Sequence, residues 1–298
     1  MGYLYLFGAL LAGVSKGFCG KKVSGYTSGY GDASFVNVLR MGFCILIGAI
    51  AMLAQSTVPF SDFDLQTLWI SALSGVTTAA FVVLWLISVK TGAYMMLDVF
   101  LMLGVGITVA CCRIFLQEAL RWNQILGFTL LVIAAWIMSS YNIAIKGKMT
   151  FKGVILLILC ALANGMTDFS QKLFIRKVEG GSVAEFSFYT YIFAALTLLF
   201  AWIYFSAKDR KQGTERKPMP KSVYLMVGLM SVFLFLNSYL KTQAAAYLDS
   251  ALLYPLNQGA GLLLSMLMAA LFFKEKITPK CLLGLSVAFV ALLIINLL

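Results

Sequence analysis

Residues 115–138, FLQEALRWNQILGFTLLVIAAWIM, and residues 272–295, FFKEKITPKCLLGLSVAFVALLII, share one pattern. In each, a Phe is followed by a Glu three places on, then by a Gly nine places after the Glu, and then by an apolar run. Phe115, Glu118, Leu126, Gly127 and Ala134 recur as Phe272, Glu275, Leu283, Gly284 and Ala291, an offset of 157 residues that Gly104 and Gly261 also share. Earlier in each copy the offset is 151, from Phe18 and Lys21 to Phe169 and Lys172. The six-residue difference falls in residues 206–221, SAKDRKQGTERKPMPK, whose charges and two prolines read as a solvated loop. The chain is therefore a repeat of two halves, 1–145 and 151–298.

Apolar runs long enough to cross a hydrocarbon layer about 30 Å thick fall near 3–22, 34–54, 66–89, 92–113, 121–143, 153–173, 184–207, 222–245, 249–273 and 279–298. Five crossings per half is an odd number, so the second half enters the bilayer from the opposite side. The expected fold is an all-α integral membrane protein of ten transmembrane helices in two inverted five-helix repeats, an arrangement found in secondary transporters.

Composition narrows the field in the same direction. Of 298 residues, 61% are hydrophobic and 12% charged, against about 25% charged in an ordinary soluble domain. Disorder needs low hydrophobicity, and a porin-type barrel shows weak alternation in place of long apolar runs. The chain has no histidine, which removes the commonest general base and the commonest ligand of zinc and iron. The six cysteines, Cys19, Cys44, Cys111, Cys112, Cys160 and Cys281, lie in apolar runs without a C-x-x-C spacing and read as small buried hydrophobes. No P-loop and no N-x-[ST] acceptor occurs. The first segment lacks a basic start and a small-residue cleavage site, so it reads as a retained helix. Neither cofactor nor metal is expected.

The two halves resemble the EamA-type, ten-helix members of the drug/metabolite transporter superfamily. The resemblance is carried by the two stretches quoted above and by TQAAAYLDSALLYPLNQGAG at 242–261. Helix 1, YLYLFGALLAGVSKGFCGKK at 3–22, is also similar to the first helix of the small multidrug resistance proteins of that superfamily. The resemblance implies a membrane transporter, not an enzyme, and leaves the substrate wide. In the small multidrug proteins a carboxylate in the first helix binds protons and cationic drugs. By this alignment Gly13 and Asn164 stand in its place, and neither titrates.

Orientation follows the basic residues of short loops. Fifteen Lys and Arg fall in the odd connections and six in the even ones: Arg113, Arg121, Lys172, Arg176, Lys177 and Lys241. The odd loops are expected in the cytoplasm and both termini outside, in the cell membrane (the cytoplasmic or inner membrane). A net charge of +11 then reads as topology and attraction to anionic lipid. Nucleic acid is not an expected partner, because the basic residues sit in separated loops without interleaved aromatics.

Ionisable groups inside a bilayer are functional candidates. In the first half these are Lys16, Arg40 and Asp98; Lys16 and Arg40 either snorkel to the headgroups or pair with Asp98. In the second half Asp168 and Lys241 lie near Asn164, Asn237 and Asn257, as a gate or as ordinary interfacial charges. Aromatics at helix interiors, Trp85, Tyr94, Tyr189, Tyr191, Tyr239 and Tyr254, are candidates for the wall of a central cavity, or simply core and interface belt. Asn257 and Gln258 are further candidates, since neighbouring Pro255 frees a backbone carbonyl in an apolar helix. Ala9, Gly13 and Gly17 form a small-residue stripe for close packing, and Glu118 and Glu275 read as anchors at helix junctions.

Two function classes follow. One is a secondary transporter of a small polar metabolite, such as an amino acid or a related compound, working by alternating access; its partners are that substrate and membrane lipid. Coupling to an ion or a proton stays open, as does the oligomeric state. The other is a lipid-modifying membrane enzyme or a non-transporting scaffold, for which the isolated acids offer no clustered acid/base set.

Overall fold

A chain without water around it must satisfy its backbone internally, and helices do so within each segment. The computed structural model describes residues 1–27, 30–55, 64–91, 94–146, 151–211, 220–273 and 279–297. Among these, the elements are α1 (Gly2–Ser24), α2 (Tyr30–Gln55), α3 (Leu65–Thr91), α4 (Tyr94–Phe115), α5 (Trp122–Lys146), α6 (Phe151–Lys177), α7 (Val183–Lys211), α8 (Lys221–Ala245), α9 (Ser250–Phe273) and α10 (Pro279–Leu297). Seven of them, α1, α2, α3, α6, α7, α8 and α9, are long and apolar enough to cross a membrane. In the other three the apolar stretches among the residues with described side chains are shorter: Phe100–Phe115, Trp122–Ala134 and Leu282–Ile295. Large apolar side chains such as Leu4, Phe7, Leu46, Ile50, Trp69, Phe200, Leu225 and Phe289 face outward. A soluble protein does not spread so much apolar surface in water, so this is a multi-pass membrane protein.

The loop expected over 206–221 is shorter than the sequence indicated. Helix α7 continues through Lys211 and α8 opens at Lys221 after Pro220. The polar end of α7 has a partner to hold: Asp209 Oδ2 accepts from Gly31 N, 3.0 Å away in the first turn of α2. An acid at a helix N-terminus satisfies an orphan donor and the helix dipole together. Asp64 caps α3 in the same way, accepting from Gln66 N at 3.0 Å and Thr67 N at 3.1 Å. Its carboxyl is held below the ordinary range by the Thr67 hydroxyl and the Gln66 N–H.

Between helices the main pairings are α1 with α8, α3 with α6, α2 with α7, α3 with α7, α5 with α10, α4 with α6 and α4 with α9. Apolar side chains gain little from one another in lipid, so close approach depends on small residues. Gly104 of α4 and Gly165 of α6 face each other so tightly that a Cβ on either would collide with the other helix's backbone. Thr108 Oγ1 crosses the same contact to the Gly165 carbonyl at 2.9 Å. On α3, a Cβ at Gly75 would lie 2.6 Å from the Thr190 carbonyl of α7. Gly127 of α5 meets Ala291 and Ile295 of α10. On the α1 stripe, the Ala9 carbonyl accepts from Asn237 Nδ2 of α8 at 2.7 Å, and Gly13 leaves room for that amide.

One buried charge cluster ties the α4–α5 turn to the α8–α9 turn. Glu118 accepts from Ser250 N, the first residue of α9, at 3.0 Å. It also pairs with Lys172 at 3.2 Å and Arg176 at 3.4 Å. Lys172 in turn donates to the carbonyls of Ala245 at 2.9 Å and Leu248 at 2.7 Å, at the end of α8. A carboxylate thus meets a helix start and an ammonium meets a helix end, as the two dipoles favour. Lys172 is only 2% exposed, so it is an interior residue and not the loop cation the sequence count made it. Glu275 lies outside the described residues.

Candidate functional site

The site is built from polar residues placed at helical spacing on otherwise apolar helices. On α6, Asn164, Thr167, Asp168 and Gln171 recur at intervals of three and four, which puts them on one face. Asn237, Ser238 and Lys241 do the same on α8, and Asn257, Gln258, Gly261 and Ser265 on α9. Those faces, with Gly13, Lys16 and Gly17 of α1 and Thr78, Phe81 and Trp85 of α3, enclose a cavity of about 100 Å³. Residues from both halves of the chain line it. That volume holds several waters, at roughly 10–15 Å³ each by this measure.

Its principal charges are paired across helices. Lys241 Nζ of α8 donates to Asp168 Oδ1 of α6, and both side chains are buried. Tyr254 of α9 donates its hydroxyl to the backbone carbonyl of Asp168 at 2.7 Å, fixing the α6 backbone next to the pair. Lys16 Nζ lies 3.5 Å from Asn237 Oδ1 and 5.9 Å from the centre of the Phe81 ring. Gln171 gives its amide N–H to Ser238 Oγ at 3.0 Å. Among the described residues, three buried polar atoms of the lining have no partner: Asn164 Nδ2, Gln171 Oε1 and Asn257 Oδ1.

Of the residues singled out in the sequence, Lys16, Trp85, Asn164, Asp168, Tyr191, Asn237, Lys241, Asn257 and Gln258 are on this lining. Four described ones are elsewhere. Arg40 is buried, 1% exposed, and donates to Asn37 Oδ1 one turn away. It reaches no surface and instead lines a small adjoining pocket that Lys16, Phe81 and Trp85 share. Tyr239 stacks on Phe235 with ring centres 5.8 Å apart, Tyr189 sits edge-on to Phe188, and Tyr254 acts from behind the wall through its hydroxyl. The side chains of Tyr94 and Asp98 lie outside the described residues, so the pairing of Lys16 or Arg40 with Asp98 does too. Lys241, counted above as an even-loop cation, is a buried helix residue. Gln171, Thr167, Ser238 and Ser265 were not singled out; the helical stripe through Asn164 and Asp168 was the signal for the first two.

Residues 151–297 match the family model of the EamA-like transporter family. The chain is thus an EamA-like member of the drug/metabolite transporter superfamily, a family of transporters rather than enzymes. A solved crystal structure of a protein is similar over 99% of this chain and 96% of its own, with a TM-score of 0.73 and 15% identity. At that identity the likeness speaks for the fold alone. Comparison with curated proteins gives no match.

Proposed function

We propose that the protein is a secondary transporter that carries a small polar metabolite, an amino acid or a related compound, by alternating access between its two five-helix halves. The observation that carries this reading is the polar cavity, lined by α1, α3 and α4 from one half and by α6, α7, α8 and α9 from the other. Gly13 and Asn164, equivalent positions in the two halves, both lie on it. The helix pairings support the repeat. Exchanging each helix with the one five places along turns α1·α8 into α6·α3 and α4·α6 into α9·α1, and leaves α2·α7, α4·α9 and α5·α10 unchanged; all of these contacts occur. In transporters built on such repeats the binding site lies at the repeat interface, which fits the position of this cavity. Asp168 and Lys241 serve as a gate at that site, with Lys16 of α1 beside Asn237, one turn away on α8. No lipid-modifying chemistry is needed to account for the residues assembled.

The test is uptake. Purified protein in liposomes is expected to exchange radiolabelled amino acids or related metabolites, and Asn164→Leu, which removes a lining amide, to abolish exchange while the protein stays folded. A protein that binds none of these solutes and exchanges none would refute the reading.

A further inference from the structure

The two halves line the cavity with unlike walls; this inference rests on the cavity being the transport site. Glycines aside, the described lining from the first half is apolar at Leu10, Val14, Phe81, Trp85 and Leu101 and polar only at Lys16 and Thr78. The Lys16 ammonium lies 3.5 Å from Asn237 Oδ1, on the wall that the second half supplies. That wall is the reverse of the first. Its described residues carry amide, hydroxyl or charged side chains everywhere except at Leu234 and Gly261.

The repeat sharpens the contrast. At its two offsets Gly13 stands for Asn164, Gly17 for Asp168 and Leu101 for Gln258, all of them on the lining. In each of these pairs only the second-half residue has a polar side chain, whereas Lys16 and Thr167 are a pair polar in both halves. What fits between such walls follows from the cost of a mismatch. A polar group pressed on the apolar wall loses its water without gaining a hydrogen bond. An apolar group pressed on the polar wall leaves amides and hydroxyls unmet. A solute with a polar head and an apolar body avoids both, and polar groups gathered on one wall fix its orientation. We propose that the cavity takes an amphipathic solute, an amino acid or related compound whose apolar side chain lies along Leu10, Val14, Phe81, Trp85 and Leu101 while its polar head faces α6, α8 and α9. It selects that solute over one of the same head, size and charge whose side chain is polar.

Two pairs of nearly isosteric amino acids test this in proteoliposomes of the full chain: L-leucine with L-asparagine, and L-methionine with L-glutamine. The members of a pair carry the same charge, so the charged groups of the cavity do not decide between them. Exchange of the apolar member is expected to exceed that of its amide partner at least about tenfold, the scale on which a hydrophobic pocket separates solutes. Leu101→Asn puts an amide on the apolar wall where the other half has Gln258, and in folded protein it should lower that ratio at least threefold. Should Leu101→Asn not fold, Val14→Thr, half-buried and nearly isosteric, is expected to lower it in the same direction. Amides carried as well as their apolar partners, or a ratio unchanged in the folded variant, would overturn the proposal and leave transport standing. So would exchange confined to solutes outside the two pairs. Exchange of no solute at all would overturn the transport reading itself.

Discussion

At the scale of the residue, the Asp168–Lys241 pair is buried on the cavity wall, where a charge that loses its partner finds only the few waters the cavity can hold. Breaking a buried pair from one side costs about 3–5 kcal/mol, whereas replacing both members by apolar residues of similar volume is often neutral. Asp168→Leu and Lys241→Met are each expected to lower the melting temperature in detergent clearly, and the double variant to recover most of the loss. A double variant as unstable as the two singles together would show that neighbours, not the pair, fix this wall. The sequence set Asp168 beside Lys241 as one candidate gate, but the ion pair between them was not legible there. Asp168 and Lys241 are 73 residues apart, and only the facing of α6 and α8 joins them. What the sequence does hold is the stripe, since Asn164, Thr167, Asp168 and Gln171 follow the helical period within an apolar run. Gln171 belongs to the same stripe but was not singled out, and its Oε1 is an acceptor unmet among the described residues.

At the scale of the element, helix positions were legible from apolar runs to within a few residues, and the exceptions have a cause. The run near 153–173 ends at the first cluster of charge, but α6 goes on to Lys177. Lys172 and Arg176 are helical because Glu118 waits for them across the turn. Burial raises the pKa of Glu118, but Ser250 and Lys172 outweigh it and hold the carboxyl below the ordinary carboxylate range. A carboxyl lowered on folding stabilises the fold fully above its unfolded pKa, about 4.3 for Glu, and that contribution disappears as pH falls through the lower folded value. The melting temperature should therefore drop below about pH 4.3 more steeply in the natural protein than in Glu118→Gln, which has no such proton to gain. The variant should be the less stable of the two at pH 7. Parallel curves for the two proteins would mean that Glu118 contributes nothing through its charge.

At the scale of the whole molecule, the number of crossings and their direction are one question. Seven helices pass as spans on apolar length, which would put the termini on opposite sides; ten would put them on the same side. The full lengths favour ten. α4, α5 and α10 have 22, 25 and 19 residues, or roughly 33, 38 and 29 Å at about 1.5 Å per residue, close to or above the hydrocarbon thickness of about 30 Å. The residues that complete them include largely apolar sequence, YMMLDV at 94–99 and AWIM at 135–138. The basic residues then set direction. With Lys172 and Lys241 buried inside helices, the even connections keep four of the six cations first assigned to them, against fifteen in the odd ones, and the bias toward cytoplasmic odd loops grows. Both termini should therefore lie outside the cytoplasm. A fluorescent reporter that matures only in the cytoplasm should stay dark when fused after Leu298, and a phosphatase active only outside should work there. An epitope placed before Met1 should be open to antibody on intact cells. A bright reporter together with an exposed N-terminal epitope would mean an odd number of crossings and break the inverted repeat; a bright reporter with a hidden epitope would keep the repeat and turn the molecule over.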